Sequence, residues 1–137
     1  FRITNIQAAL GIGQLKNFAK IQKRRMQIYK WYMTYLNLKK VKLQKITNSL
    51  FIPWTLAVTI PLKNINTNNI LKNLLKKNIE IRKGFYSANR LKIYKNNATR
   101  KLKNSDYLSK NIICLPIHLY LKKNNVRYIC KIFNKLT

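Results

Sequence analysis

Three side chains in this sequence have the chemistry of a general acid or base near neutral pH: Glu80, Asp106 and His118. They are far apart in the chain and fall in different predicted elements. No G-x-S-x-G elbow, H-E-x-x-H helix or phosphate-cradling P-loop accompanies them. The GIG of Gly11 to Gly13 sits inside a helical pattern, so by itself it binds no phosphate. Cys114 and Cys130 form no C-x-x-C pair, which removes a zinc knuckle and a redox motif and leaves two reduced, buried thiols as the expectation. His118, in LPIHLYL just after a strand and a proline, is a candidate active-site donor; a structural or surface histidine is the competing reading, because no carboxylate or thiol stands beside it. Glu80 and Arg82 are two apart on a predicted strand, hence on one face, and read as an exposed ion pair. These groups do not add up to a self-contained catalyst.

The elements that must carry them follow from periodicity. Thr4-Asn5-Ile6-Gln7 has the form of a capping box: the Thr4 hydroxyl accepts from the Gln7 backbone N–H while the Gln7 side chain reaches back. Ile6, Ala9, Leu10, Ile12 and Gly13 then recur at helical spacing. Ala8, Ala9, Gly11 and Gly13 keep that helix thin, which predicts a close neighbour, either another helix or a second subunit. The period continues through Phe18, Ile21, Met26, Ile28, Tyr29, Tyr32, Met33 and Leu36, with a bend predicted near Asn17 and Lys23 to Arg25 on a solvated face. From Val41 the texture changes. KVKLQKI and WTLAVTIPL read as strands, INTNNILKNLLKKN as a short helix capped near Asn66 or Thr67 with Ile70, Leu71, Leu74 and Leu75 inward, and IEIR (79–82) as a strand. GFYSANRLKIYKN reads as a structured loop. A short helix over Ser105 to Lys110, the strand NIICLP and a last helix from about Lys122 to Leu136 complete the chain. The predicted class is α+β: a helical arm over residues 1–38, then a small domain over 39–137 with helices packed on one side of a small sheet.

Charge is the most extreme property. Twenty-nine Lys and Arg oppose two acidic residues, a formal +27. Such an excess points toward nucleic acid or an anionic surface. Here, however, Lys is spread evenly from Lys16 to Lys135 amid Asn and Ile, without the aromatic or glycine-rich spacing of a binding platform. Compositional drift toward residues with AT-rich codons accounts for that spread, with only non-specific attraction to nucleic acid at low salt. The longest apolar stretch, Leu50 to Leu62, is broken by Pro53 and Pro61 and falls short of the ~20 residues of a membrane span. No membrane association is expected.

Three ordered blocks carry a resemblance. FRITNIQAALGIGQL, followed by a basic stretch ending KRRMQIYKWY, resembles the G-Y-N-Y-R-M-T-N-I-Q-A-A-L-G-L-A-Q-L run and K-R-R helix of the DegT/DnrJ family of pyridoxal-phosphate-dependent sugar aminotransferases. NIEIRKGFYSANRLKIY resembles the family's G-I-E-T-R-x-x-F-Y-P-L-x-x-x-P-x-Y segment, and YLSKNIICLPIHLYLKKNNVRYICKIF resembles its closing S-x-x-x-I-S-L-P block. The departures are Asn78 for the usual glycine, Ser87 for the usual proline, and Lys92-Ile93 for the usual Pro-x before tyrosine.

The resemblance implies an aspartate-aminotransferase-type fold, of which these residues match the small carboxy-terminal domain and the helix leading into it. It implies amino transfer to a nucleotide-linked 4-keto-6-deoxy sugar, as in perosamine synthases, with glutamate as donor, in a cytoplasmic homodimer. Pyridoxal 5'-phosphate and its Schiff-base lysine would belong to a large domain preceding Phe1, so no catalytic residue is expected in this chain and the chain alone should be inactive. Arg2 matches the motif arginine near the dimer-interface active site, Tyr86 and Tyr94 fall in the loop that helps enclose the sugar nucleotide, and His118 follows the closing strand. The alternative is a free-standing basic module that binds nucleic acid or an anionic surface without catalysis.

Overall fold

A computed structural model describes residues 2–44, 51, 53–61, 66–97 and 102–137, with backbone only for 95–97. The predicted strand residues 45–46 and the end of the apolar stretch at Leu62 lie outside them.

The first helix, α1 (Asn5–Tyr35), begins at the predicted box: Thr4 Oγ1 accepts from the Gln7 N–H at 3.3 Å and Gln7 Oε1 accepts from the Thr4 N–H at 2.9 Å. The helix runs without interruption through Asn17, near which a bend was predicted, and the Asn17 side-chain amide donates to the Gly13 carbonyl. Strand β1 (Lys42–Leu43) follows, then β2 (Leu56–Thr59) and α2 (Thr67–Leu75). Asn66 caps α2 by accepting from the Asn68 N–H at 2.9 Å. Ile70 and Leu74 are buried and Leu71 half-buried, but Leu75, expected inward, is 64% exposed because α2 ends there.

The predicted strand over 79–82 shrinks to β3 (Arg82–Lys83). The preceding residues are used to stop α2. Asn78 adopts a left-handed backbone, φ 57°, and the Ile79 N–H donates to the Leu74 carbonyl at 3.0 Å. This closure favours glycine and, after it, asparagine, which accounts physically for Asn78 at the glycine position of the motif. Two short 3-10 turns, Ala88–Arg90 and Lys92–Asn97, occupy the predicted loop. Then come α3 (Lys103–Asn111), β4 (Ile112–Leu115) and α4 (Lys123–Leu136).

The strands form one antiparallel sheet in the order β1-β2-β4-β3. Alternation sends Leu56, Val58, Ile113 and Leu115 to a fully buried face, while Ala57, Thr59, Ile112 and Cys114 on the other face stay half-exposed. The buried face meets α4, whose Val126, Ile129, Cys130 and Phe133 recur at helical spacing, and α4 packs on Ile28 and Tyr32 of α1. Burying a side chain such as Phe133 contributes about 1.5–3 kcal/mol. Asn134 ties the same two helices together: it donates to the Tyr35 carbonyl at 2.9 Å and accepts from the Asn37 N–H at 3.0 Å. The chain is therefore an α+β domain, as its sequence predicts. Among the described residues no helix is long and apolar enough to cross a membrane.

Candidate functional site

The segment after β4 is held by side chains that the sequence reading had assigned to solvent. Lys23 is exposed, but Arg24 and Arg25 are half-buried, which corrects the expectation of a solvated KRR face. Arg24 donates from Nε to the Leu119 carbonyl at 3.1 Å, from Nη2 to the Leu121 carbonyl at 2.8 Å and from Nη1 to Gln27 Oε1 at 2.5 Å. It also lies 5.1 Å from the centre of the Trp31 ring. About two turns further along, the Tyr32 hydroxyl donates to the Pro116 carbonyl at 2.8 Å. The Leu121 N–H closes a turn on the His118 carbonyl at 3.1 Å, and Ile117 and Leu121 are buried on either side. His118 is thus exposed at the tip of a turn anchored at both ends.

A cavity of about 1010 Å³ opens beside this turn. Its walls include His118, Cys114, Arg25 and Arg82, with Trp54 and Phe85 at one side. The two rings lie nearly parallel, 6.5 Å between centres and 21° between planes. Arg25 differs sharply from its neighbour: its Nε is buried and has no hydrogen-bond partner among the described residues. A buried donor left unpaired costs about 1–3 kcal/mol. Glu80, also in the wall, lies 3.7 Å from Arg82 with both side chains exposed, as the sequence predicts.

The loop after β3 is set by Gly84. Its N–H donates to the Ile112 carbonyl at 3.0 Å, and a Cβ there would fall 2.7 Å from Ile112 Cγ2. Beyond it, Ser87 is buried and its hydroxyl donates to Asn89, whose amide reaches Asp106 Oδ2 at 3.4 Å. Arg90 Nε donates to Asp106 Oδ1 at 2.7 Å. The Arg90 hydrogen bond, with that of Asn89, holds the Asp106 carboxyl below the usual carboxylate range. Asp106 is a tie for the loop, committed to these partners. Burial pushes the Cys130 thiol up to about 12, so it stays protonated and inert in the core, while Cys114 is half-buried in the cavity wall.

Of the four residues singled out by resemblance, His118 lines the cavity, whereas Arg2, Tyr86 and Tyr94 do not. Arg2 is exposed beside the α1 cap; Tyr86 and Tyr94 project from the loop, 67% and 50% exposed. Arg24, Arg25 and the Trp54–Phe85 pair were missed. The signal for the arginines was present, since they precede Ile28 by four and three residues and share its stripe.

The described residues do not assemble a cradle for pyridoxal phosphate. That cofactor needs a lysine for its aldehyde and a free carboxylate for its ring nitrogen, and here Glu80 faces Arg82 while Asp106 is bound by Arg90 and Asn89. No group of three or more His, Cys, Asp or Glu among the described residues is placed to hold a metal ion.

The model of the DegT/DnrJ/EryC1/StrS aminotransferase family matches residues 1–134. The chain belongs to this family. No protein of curated function matches it significantly. Among solved structures, a Bacillus cereus protein assigned as a PLP-dependent aminotransferase superposes with TM-score 0.86 and 25% identity, over 96% of this chain and 36% of its own. A Streptococcus pneumoniae protein assigned as a sugar aminotransferase, Spr1654, superposes in its apo-form with TM-score 0.84 and 22% identity, over 98% and 35%. DesI, solved in the presence of its TDP-sugar product, superposes with TM-score 0.84 and 17% identity, over 94% and 34%. The chain thus spans about a third of the length of the DegT/DnrJ-type structures it matches, and corresponds to their carboxy-terminal part. The α1 arm and the β1-β2-β4-β3 sheet are the fold it shares with them.

Proposed function

We propose that this chain is the small-domain part of a pyridoxal-phosphate-dependent aminotransferase acting on a nucleotide-linked 4-keto-6-deoxy sugar, in amino-sugar synthesis for surface polysaccharide. The observation that carries this reading is the family match over residues 1–134 combined with fold similarity to about a third of each relative. DesI, solved in the presence of its TDP-sugar product, supports a nucleotide sugar as the substrate class. In this reading the cofactor and its Schiff-base lysine belong to a large domain outside these 137 residues, the working enzyme is a cytoplasmic homodimer, and glutamate is the amino donor. Arg2, Tyr86, Tyr94 and His118 contribute to the substrate side of the active site at the dimer interface. The exposed apolar start of α1, with Leu10 67% and Leu15 72% exposed, fits burial against that large domain or the partner.

The test is a fusion of this chain to the large domain of a relative such as Spr1654, assayed for amino transfer from glutamate to a TDP-4-keto-6-deoxy sugar. The expected result is activity in the fusion and none in the chain alone. A stable aldimine absorbance in the isolated chain, mapped to one of its own lysines, would sink the reading.

The formal charge of +27 favours one other reading, a basic module for nucleic acid. Titration with duplex DNA at near-physiological salt decides it: affinity no better than that of a generic polycation removes it.

A further inference from the structure

The Trp54 and Phe85 rings are nearly parallel, 21° between planes, with centres 6.5 Å apart. Carbon atoms in contact lie about 3.5 Å apart, so a planar ring seated between two others spaces them by about 7 Å. The observed separation is close to that spacing and wide for two rings pressed face to face. Both rings are also open to solvent, Trp54 66% and Phe85 79% exposed, so a ligand reaches them freely. Their backbones are held. Trp54 follows Pro53, which is fully buried, and leads into β2. Phe85 follows Gly84, whose N–H is bonded to the Ile112 carbonyl at 3.0 Å and whose Cα has no room for a side chain. The two rings thus stand on anchored segments that are distant in sequence and meet only in the folded chain.

We infer that Trp54 and Phe85 are the two jaws of a clamp for the base of a nucleotide. Every nucleobase offers two flat faces to such a pair, and stacking on them needs no hydrogen-bonding group from the protein. A nucleotide is favoured over an uncharged planar molecule by the cavity on which the rings open. Its walls carry Lys77, Arg82 and Lys83 against a single carboxylate, Glu80, which faces Arg82. Those cations supply only attraction for the phosphate; the rings make the selection. The inference rests on the ring geometry and stands whether or not the aminotransferase reading does. A free mononucleotide and a single-stranded nucleic acid present the same base, and the experiment separates them.

The 15N-labelled chain is titrated at fixed ionic strength with thymidine 5'-monophosphate and, separately, with ribose 5-phosphate, which carries a phosphate but no base. The indole Nε1–H resonance of Trp54, identified by its absence from Trp54→Leu, is followed. A saturable shift is expected with the nucleotide and none with ribose 5-phosphate. An indole unmoved by the nucleotide overturns the clamp, and so do equal shifts with both ligands, which would mean diffuse attraction to a chain of formal charge +27. Phe85→Leu keeps the reporter and removes one jaw. It should weaken nucleotide binding about fivefold or more, the effect of losing one stacking face, and Phe85→Tyr should restore it. Unchanged affinity in Phe85→Leu overturns the clamp equally; if that variant does not fold, the two ligands on the wild-type chain decide alone. Tetrathymidylate names the source of the base. Tighter binding than the mononucleotide that is lost in Phe85→Leu assigns the clamp to single-stranded nucleic acid, and no gain over the mononucleotide assigns it to a free nucleotide.

Discussion

The two halves of α1 form one uninterrupted helix with a similar supply of apolar side chains, yet they live in different environments. In the first half Ile6, Leu10 and Leu15 are 75%, 67% and 72% exposed, and a Cβ at Gly11 or Gly13 would meet nothing within 4 Å. In the second half Ile28 and Tyr32 are fully buried, and Arg24 and Tyr32 bond to carbonyls more than eighty residues away in sequence. The first half owes its helix to local terms, the Thr4–Gln7 box and good helix formers. The second is stabilised by packing on α4 and by the turn after β4. Helical geometry therefore says little about local stability, which follows buried area and satisfied polar groups.

The sharpest way to break the contrast is to truncate one large side chain in each half. Tyr32→Ala should cost about 3–5 kcal/mol in urea unfolding, whereas Leu10→Ala should stay within about 0.5 kcal/mol. Equal losses would mean that the first half is packed in solution. Alkaline pH probes the same core without a mutation. Burial raises the Cys130 thiol to about 12 and lifts the Tyr32 phenol as well, with desolvation the leading cause in both. A group whose pKa is higher folded than unfolded adds stability that is complete below its unfolded pKa and is lost as pH climbs toward the folded one. Stability should thus fall from about pH 9 upward, the ordinary thiol range, and Cys130→Ala should blunt the fall. A pH-independent unfolding midpoint through that window would contradict the burial.

Arg24→Gln removes the fork onto Leu119 and Leu121 and should cost about 1.5–3 kcal/mol by the same urea measurement, with the His118 resonance broadened or shifted. An unperturbed His118 would show that the turn holds itself. The smallest effect has the opposite sign. Gly11→Ala should raise helicity by circular dichroism, worth about 0.5–1 kcal/mol locally, because the helix there is open. Gly84→Ala supplies the reference: with Ile112 Cγ2 only 2.7 Å from the new methyl, overpacking should cost about 1–3 kcal/mol.

What could be read in advance followed the range of the interaction. The Thr4–Gln7 box, the Asn66 cap and the period of α4 involve partners within seven residues, and all appear as expected. The strand over 79–82 did not, because alternation in IEIR competes with the need to stop α2, and the Asn78 turn takes Ile79 for that closure. At Asn17 the hydrogen-bond ladder stays unbroken, and a side-chain bond back to Gly13 is compatible with it. Of the candidate site, His118 was visible as a lone imidazole after a proline. The cavity around it was not, since its walls come from α1, β3, β4 and α4.

By itself the sequence determined the helical and strand periods, the helix caps, the α+β class and the family, all of which are carried by side-chain order along short stretches. Only the tertiary structure decided the sheet order β1-β2-β4-β3, the tie that Asn134 makes from α4 to the end of α1, and the separate fates of two adjacent arginines. Arg24 and Arg25 have the same chemistry and are adjacent in the chain. A rotation of 100° along the helix turns one toward two waiting carbonyls and leaves the other at the wall of an open cavity, its buried Nε unpaired among the described residues.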